Sequence, residues 1–272
     1  VKILVPVKQV TALDEDFALA EDGKGVASGC VGYELNEWDE YSYEAALRIM
    51  ENHDGVEIVP VTVGPEAADA VLRKCLAKGG ERGIRVWSEA LEGAAPNVVA
   101  RALAATAKRE NADLVFAGTL ASDHSYAQTG ICIAAELGWA HAAVVSKIDC
   151  TPGGPIELRR ELEGGMEEEL TLEPPAVVTI QVGINEPRYA LLRGARQAEG
   201  KPIELLSPAE LELTAADIGE SGSFFRLLRL LVPEPRRAEF LQGTPAEQAR
   251  RLAGIIKEAR QARGGQAGGA SS

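Results

Sequence analysis

The run from Gly118 to Gly130 (Gly118, Thr119, Leu120, Ala121, Ser122, Asp123, His124, Ser125, Tyr126, Ala127, Gln128, Thr129, Gly130) has the composition of an anion cradle. It follows an apolar segment, Asp113 to Gly118, that reads as a buried strand. It leads into a segment, Tyr126 to Leu137, that reads as a helix closed by Gly138. The first N–H groups of a helix have no intrahelical acceptor and carry the positive end of its dipole. With Gln128 and Thr129 beside them, a nucleotide phosphate is the natural guest. An ordinary polar loop before a capped helix fits the same pattern, and spacing alone leaves both readings open.

Asp123 and His124 invite a catalytic role, but no Ser or Cys elbow and no suggestively spaced carboxylate pair accompanies them, which disfavours hydrolysis. The absence of GxGxxG and Walker patterns disfavours a standard dinucleotide or P-loop site. The acidic run Asn36-Glu37-Trp38-Asp39-Glu40 could hold a metal, yet negative charge in a helix's first turn explains it more simply. Trp38 stands out because an indole there could line a ring-binding cleft. Cys30, Cys75, Cys132 and Cys150 show no CxxC spacing, and His53, His124 and His141 are far apart. Buried thiols are expected and a zinc site is not.

The positioning elements alternate. Val1 to Lys8 reads as a buried strand, and residues 11–35 as a long connection with a short hairpin. Trp38 to Glu51 has helical spacing behind a cap at Asn36. Val56 to Val63 is a strand ended by Gly64-Pro65; a helix through Val71 and Leu76 stops at Gly79-Gly80. A strand at Gly83 to Val86 and a helix from Pro96 to Glu110 precede the Asp113 strand. This rhythm predicts a doubly wound, mostly parallel α/β sheet of the Rossmann-like kind, covered by helices on both faces. Ala143 to Ile148, Ile156 to Leu162, Glu168 to Leu172 and Ala176 to Val182 add strands, with a hairpin turn at Gly164-Gly165 and an antiparallel edge. Arg159-Arg160-Glu161-Leu162-Glu163 reads as a solvated strand face. In such sheets ligands bind beyond the carboxyl ends of the strands, where strand order reverses. Pro6 to Leu13, Val63-Gly64-Pro65 and Gly118 to Gly130 fall there. Beyond Pro187 the chain reads as an extended arm, with a last helix from Pro245 to Ala262 and a frayed Gly264 to Ser272.

The chain has 272 residues, 46% hydrophobic, with 41 acidic against 28 basic residues and a net charge of −13. This balance disfavours nucleic acid as a partner. No apolar run approaches the roughly 18 residues of a membrane span. No signal-peptide pattern opens the sequence, so a cytoplasmic location without membrane insertion is expected.

Several segments together carry a family resemblance: Val5-Pro6-Val7-Lys8-Gln9, Leu35-Asn36-Glu37-Trp38-Asp39, Val63-Gly64-Pro65, Arg73-Lys74-Cys75-Leu76-Ala77-Lys78-Gly79, Ser122-Asp123 with Gln128-Thr129-Gly130, Arg160 to Gly165, Pro175 to Thr179, and Asn185-Glu186-Pro187-Arg188-Tyr189-Ala190. From Val1 to about Ile203 the chain closely resembles the β subunits of electron transfer flavoproteins. Asn36 to Asp39 and Glu161-Leu162-Glu163-Gly164-Gly165-Met166 look most like the methylotrophic bacterial type that serves trimethylamine dehydrogenase. The resemblance implies an electron carrier rather than an enzyme: an αβ heterodimer with one FAD held mainly by the α subunit, and an AMP buried in the β subunit. It implies that Pro6, Asn36, Glu37, Trp38, Asp39 and Val63 surround the adenosine. Gly118, Thr119, Leu120, Ser122, Asp123, Ala127, Gln128 and Thr129 would wrap the phosphate side, while Leu13 and Trp38 face the flavin. Ile184 to Ala195 matches the family's recognition loop, with Tyr189, Ala190, Leu191, Leu192, Arg193 and Arg196 as docking residues and Leu192 as the anchor. Arg188, Arg193, Arg196 and Lys201 would make that loop basic. Implied donors are dehydrogenases, trimethylamine dehydrogenase or acyl-CoA dehydrogenases among them, and the implied acceptor is a quinone oxidoreductase. The implied division is a nucleotide-binding domain at 1–183, a recognition loop and linker at 184–206, and a C-terminal arm and helix at 207–272 that packs on the α subunit.

Departures matter too. Many relatives carry consecutive acidic residues where this chain has Asp123-His124-Ser125, and Leu13 replaces a common aromatic near the flavin. The electron-bifurcating branch, with a second FAD in place of AMP, typically has Val-Gly where this chain has Thr129-Gly130, which favours AMP. A bifurcating flavoprotein and a redox-inactive nucleotide module are the alternatives.

Overall fold

A computed structural model describes residues 1–13, 17–27, 31–233, 238 and 240–266; the side chains of Leu13, Val31 and residues 262–266, together with Cys30 and residues 267–272, lie outside the description. Residues Val1–Leu230 form one compact unit and Leu231–Ser272 a second.

Apolar runs without polar alternation form strands covered on both faces. β1 (Lys2–Pro6) is one: Ile3, Leu4 and Val5 are fully buried. Ile3 and Val5 enter a core shared with Tyr43 and Leu47, whereas Leu4 enters a second core with Val98 and Leu103. β6 (Leu114–Gly118) repeats this, Leu114 and Phe116 joining the first core and Val115 the second. In β10 (Ala176–Ile180), Val178 and Val177 divide in the same way. One core also takes side chains from α1 (Glu37–Asn52) and α2 (Asp69–Lys78), the other from α3 (Pro96–Glu110) and α4 (Thr129–Leu137). A period of two along each strand thus requires a helical layer on each face.

The remaining strands of the main sheet are β4 (Glu57–Val63), β5 (Gly83–Val86), β7 (Ala140–Cys150), β8 (Ile156–Leu162), β9 (Met166–Leu172) and β11 (Ile203–Leu206). Their order is β11-β5-β4-β1-β6-β10-β7-β8-β9. Pairing is parallel from β11 to β7, and β8 and β9 add the expected antiparallel edge. Gly164 and Gly165 turn the β8–β9 hairpin at φ +80° and +75°, conformations that favour glycine. In place of a short hairpin, β2 (Gln9–Leu13) and β3 (Val31–Leu35) pair across the expected connection as a separate antiparallel ribbon.

Two expectations need correction. Helix α4 begins at Thr129 rather than Tyr126, because Ser125 and Ala127 take left-handed φ values of +51° and +52° that no α-helix continues through. The chain does not leave the body at Pro187. After α5 (Leu192–Ala198), β11 pairs with β5 from Ile203↔Gly83 to Leu206↔Val86. Leu211, which ends a short 3-10 turn, and Ile218, at the N-cap of α6 (Gly219–Gly222), fill the second core. The expected divisions after 183 and 206 therefore fall inside the unit that ends at Leu230.

The second unit contains α7 (Pro245–Gln266). Thr244 and Glu247 form a capping box: the Thr244 N–H and hydroxyl both donate to Glu247 Oε2 at 2.8 Å. The helix continues past the expected end at Ala262, so residues 264–266 are helical rather than frayed. Among the described residues no helix is long and apolar enough to cross a membrane, and no group of three or more His, Cys, Asp or Glu could hold a metal ion.

Candidate nucleotide site at the strand-order switch

Strand β1 lies between β4 and β6, so the chain order reverses there, and in such sheets the ligand crevice lies beyond the carboxyl ends of the strands at that reversal. The strand ends are tied across: Val7 N–H donates to the Val61 carbonyl at 2.8 Å, and Thr119 donates to the Ile180 carbonyl through both its N–H and its hydroxyl. Pro6, Val63 and Gly118, expected around a nucleotide, end the strands at this crevice.

Helix α1 starts at the same crevice. Asn36 occupies the N-cap position, but its side chain makes no cap hydrogen bond. Its amide spans to the loop after β6 instead, donating to the Leu120 carbonyl at 2.9 Å and accepting from Ser122 N–H at 3.2 Å. The expected capping role is corrected accordingly: an amide offers a donor and an acceptor together, and here both are used on another chain segment. Asp39 Oδ2 accepts from Lys8 N–H at 2.8 Å. Burial pushes the Asp39 carboxyl up to about 7, against the lowering effect of hydrogen bonds from Lys8, Asn36 and Gly118. Gly118 has no room for more: a Cβ there would overlap Asp39 Oδ1 and lie 2.8 Å from Trp38 Cβ. Asn36 and Asp39 therefore spend their polar atoms fastening α1 to the ends of β1 and β6. Trp38 is half-buried, and its indole Nε1 is buried without a hydrogen-bond partner. Glu37 is exposed.

The loop after β6 carries a second fastening. Lys8 Nζ binds both Asp123 oxygens at 2.7 and 2.8 Å, and His124 Nδ1 lies 3.1 Å from Lys8 Nζ and 3.1 Å from Asp123 Oδ1. Partial burial would raise the Asp123 carboxyl, but the hydrogen bonds from His124 and Lys8 outweigh it and hold the group at about 2. The His124 ring stacks on Tyr126 at 5.5 Å, and Tyr126 meets Phe225 at 5.2 Å. Two consecutive left-handed kinks, at Ser125 and Ala127, then turn the chain into α4, with Gln128 exposed at its N-cap position and Thr129 first in the helix. Gly130 packs against Thr179, and a Cβ there would overlap the Thr179 methyl. The loop thus carries a carboxylate already paired with a lysine and leads into a helix whose first-turn N–H groups have no side-chain cap. Lys8 was not singled out from sequence. Its signal was available, as the first charged residue after a buried strand at a predicted switch point.

The sequence matches the family profile described as Electron transfer flavoprotein domain over residues 26–211. It is 51% identical over 259 residues to electron transfer flavoprotein subunit beta of Methylophilus methylotrophus, covering 94% of this chain and 98% of that one. The chain belongs to the electron transfer flavoprotein family. Its relatives there are β subunits. That of Bradyrhizobium diazoefficiens is 36% identical over 238 residues, 87% of this chain and 91% of that one. That of Homo sapiens is 35% identical over 212 residues, 77% of this chain and 82% of that one.

In this member of the electron transfer flavoprotein family, the segment expected to dock partners is exposed. Tyr189 is 95% exposed, Leu191 77% and Leu192 71%, while Ala190, Arg193 and Arg196 are exposed as well. The expected basic character of this loop is only partly present at its surface. Arg188 is held by Glu44 and Glu51. Lys201 Nζ donates to the carbonyls of Leu76 and Gly80, at the end of α2. Arg188 is thus paired with carboxylates and Lys201 is hydrogen-bonded to backbone, leaving Arg193 and Arg196 exposed. The Leu13 side chain, expected near a flavin, lies outside the description.

Proposed function

We propose that this chain is the β subunit of an αβ heterodimeric electron carrier with one FAD held mainly by the α subunit, and that AMP fills the switch-point crevice. The observation that carries the AMP reading is a loop whose one carboxylate, Asp123, is already matched by Lys8 and which leads into the uncapped start of α4, so that a phosphate there meets no uncompensated carboxylate from this loop. The unpartnered Trp38 Nε1 fits a site completed by another group. Pro6, Val63 and the Asn36 to Asp39 turn wall the adenosine, and Gly118, Thr119, Leu120, Ser122, Ala127, Gln128 and Thr129 surround the phosphate. FAD supplies the redox centre. This chain shapes its surroundings through Trp38 and Leu13 and presents Tyr189 to Arg196 to dehydrogenases, with Leu192 as the anchor. Trimethylamine dehydrogenase and acyl-CoA dehydrogenases are the donor classes and a quinone oxidoreductase the acceptor. Residues 207–272, which expose Phe224, Leu228, Leu231 and Phe240, pack on the α subunit. The carrier works in the cytoplasm.

Co-expression with the α subunit tests this reading. A yellow heterodimer whose flavin is bleached by trimethylamine dehydrogenase with trimethylamine, or by an acyl-CoA dehydrogenase with its thioester, supports it. A chain that purifies alone, without flavin, overturns it.

A further inference from the structure

The side chain of Glu44 is 3% exposed on α1, where an unpaired carboxylate would be costly. It is matched by a fork: Arg188 donates from Nε to Oε2 at 2.8 Å and from Nη2 to Oε1 at 3.0 Å, and the Arg188 N–H reaches Oε2 at 3.3 Å. The same guanidinium binds both oxygens of Glu51. Arg48 completes the set, donating to Glu44 Oε1 at 2.9 Å and to the Glu186 carbonyl at 3.2 Å, while Asn185 Nδ2 donates to the Tyr41 carbonyl at 2.9 Å. Tyr41, Glu44, Arg48 and Glu51 recur at three- and four-residue steps, so one stripe of α1 grips residues 185–188. From the next residue, Tyr189, to Arg193 every residue is exposed. On the far side of the loop a second grip starts. Gly194 approaches α2 so closely that a Cβ would overlap the Ala77 carbonyl, and Arg73 donates to the carbonyls of Ala198 and Lys201.

Buried ion pairs contribute little net stability compared with apolar packing, but they fix geometry because each partner has one satisfactory arrangement. We propose that Glu44, acting through Arg188, is a positioning residue for docking: it sets the base from which Tyr189, Leu191 and Leu192 project, and so controls association with the dehydrogenase without touching the flavin. This rests on the reading of Leu192 as the docking anchor. It also places the loop's base and the nucleotide crevice on one helix, since the first turn of α1 carries Trp38 and Asp39.

The test uses the purified αβ heterodimer carrying Glu44→Gln, Arg188→Lys, Leu192→Ala, and each of the first two combined with the third. Lysine keeps the charge at 188 but loses the bidentate fork. Both clamp variants are expected to raise KM for the carrier about tenfold in reduction by trimethylamine dehydrogenase or an acyl-CoA dehydrogenase, with kcat, FAD content and flavin potential unchanged. Combined with Leu192→Ala, each is expected to add little further, because both changes act on one contact. Backbone amide exchange at residues 189–192 is expected to quicken in Arg188→Lys. If Leu192→Ala raises KM and the clamp variants do not, the docking reading stands and the positioning role is wrong. If Leu192→Ala has no effect, the docking reading fails and the proposal with it. Should Glu44→Gln fail to assemble, Arg188→Lys decides, and unchanged exchange in that variant overturns the proposal on its own.

Discussion

At the scale of single residues, Lys8, Asn36 and Asp39 engage other segments of the protein. Asp39 illustrates the cost. Its carboxyl has an ordinary value near 3.8 and is pushed to about 7 by burial. A raised carboxylate binds its proton more tightly in the folded state, so its stabilising contribution is complete below about 3.8 and is lost as pH rises through 7. Asp39→Asn removes this titration. The stability advantage of wild type over Asp39→Asn, from thermal melts of the heterodimer, is therefore expected to shrink as pH rises from about 4 to 7; an advantage that grows over that range would contradict the assignment. Asp123 has the opposite sign: held at about 2, its contribution is present above its ordinary value of 3.8 and lost as pH falls through 2. Gly118 tests the close approach of β6 and α1. Gly118→Ala forces a Cβ against Asp39 and Trp38 and is expected to destabilise the fold by about 1–3 kcal/mol in denaturant titration, with loss of bound nucleotide.

At the scale of elements, the partly buried loop from Thr119 to Gln128 and the exposed segment from Tyr189 to Leu192 are both tied by side-chain hydrogen bonds to neighbouring elements. Leu192→Ala is expected to slow electron transfer from the dehydrogenase severalfold while FAD content stays unchanged, since the side chain is 71% exposed and supports no core. Parallel loss of FAD in absorbance spectra would make it a folding residue instead. Much of this layer was legible in the residues. The uninterrupted apolar runs of β1 and β6, Pro96 at the start of α3 and Gly138 at the end of α4 mark their elements with local chemistry. What was not legible depends on partners distant in sequence. Asn36 has the type of a cap, but whether an amide caps its own helix or bridges to Leu120 depends on which loop arrives beside it. The short strand Ile203–Leu206 carries little pattern of its own and is fixed by the open edge of β5. Arg188 and Lys201 read as loop charges because Glu44, Glu51 and the end of α2 lie more than a hundred residues away.

At the scale of the whole molecule, helices cover both faces of a mostly parallel sheet whose strand order reverses at β1–β6, and the fastenings of Asn36, Asp39 and Lys8 converge at that end of the strands, where a crevice is expected. The family resemblance and the geometry meet at that crevice. The central claim is that it holds AMP in a carrier with a single flavin. The decisive measurement is to purify the chain with its α subunit, denature the complex, and quantify the released nucleotides by chromatography. One FAD and one AMP per heterodimer is the predicted result. Two FAD and no AMP would contradict it and would place a second flavin where Thr129 and Gly130 were read as favouring AMP.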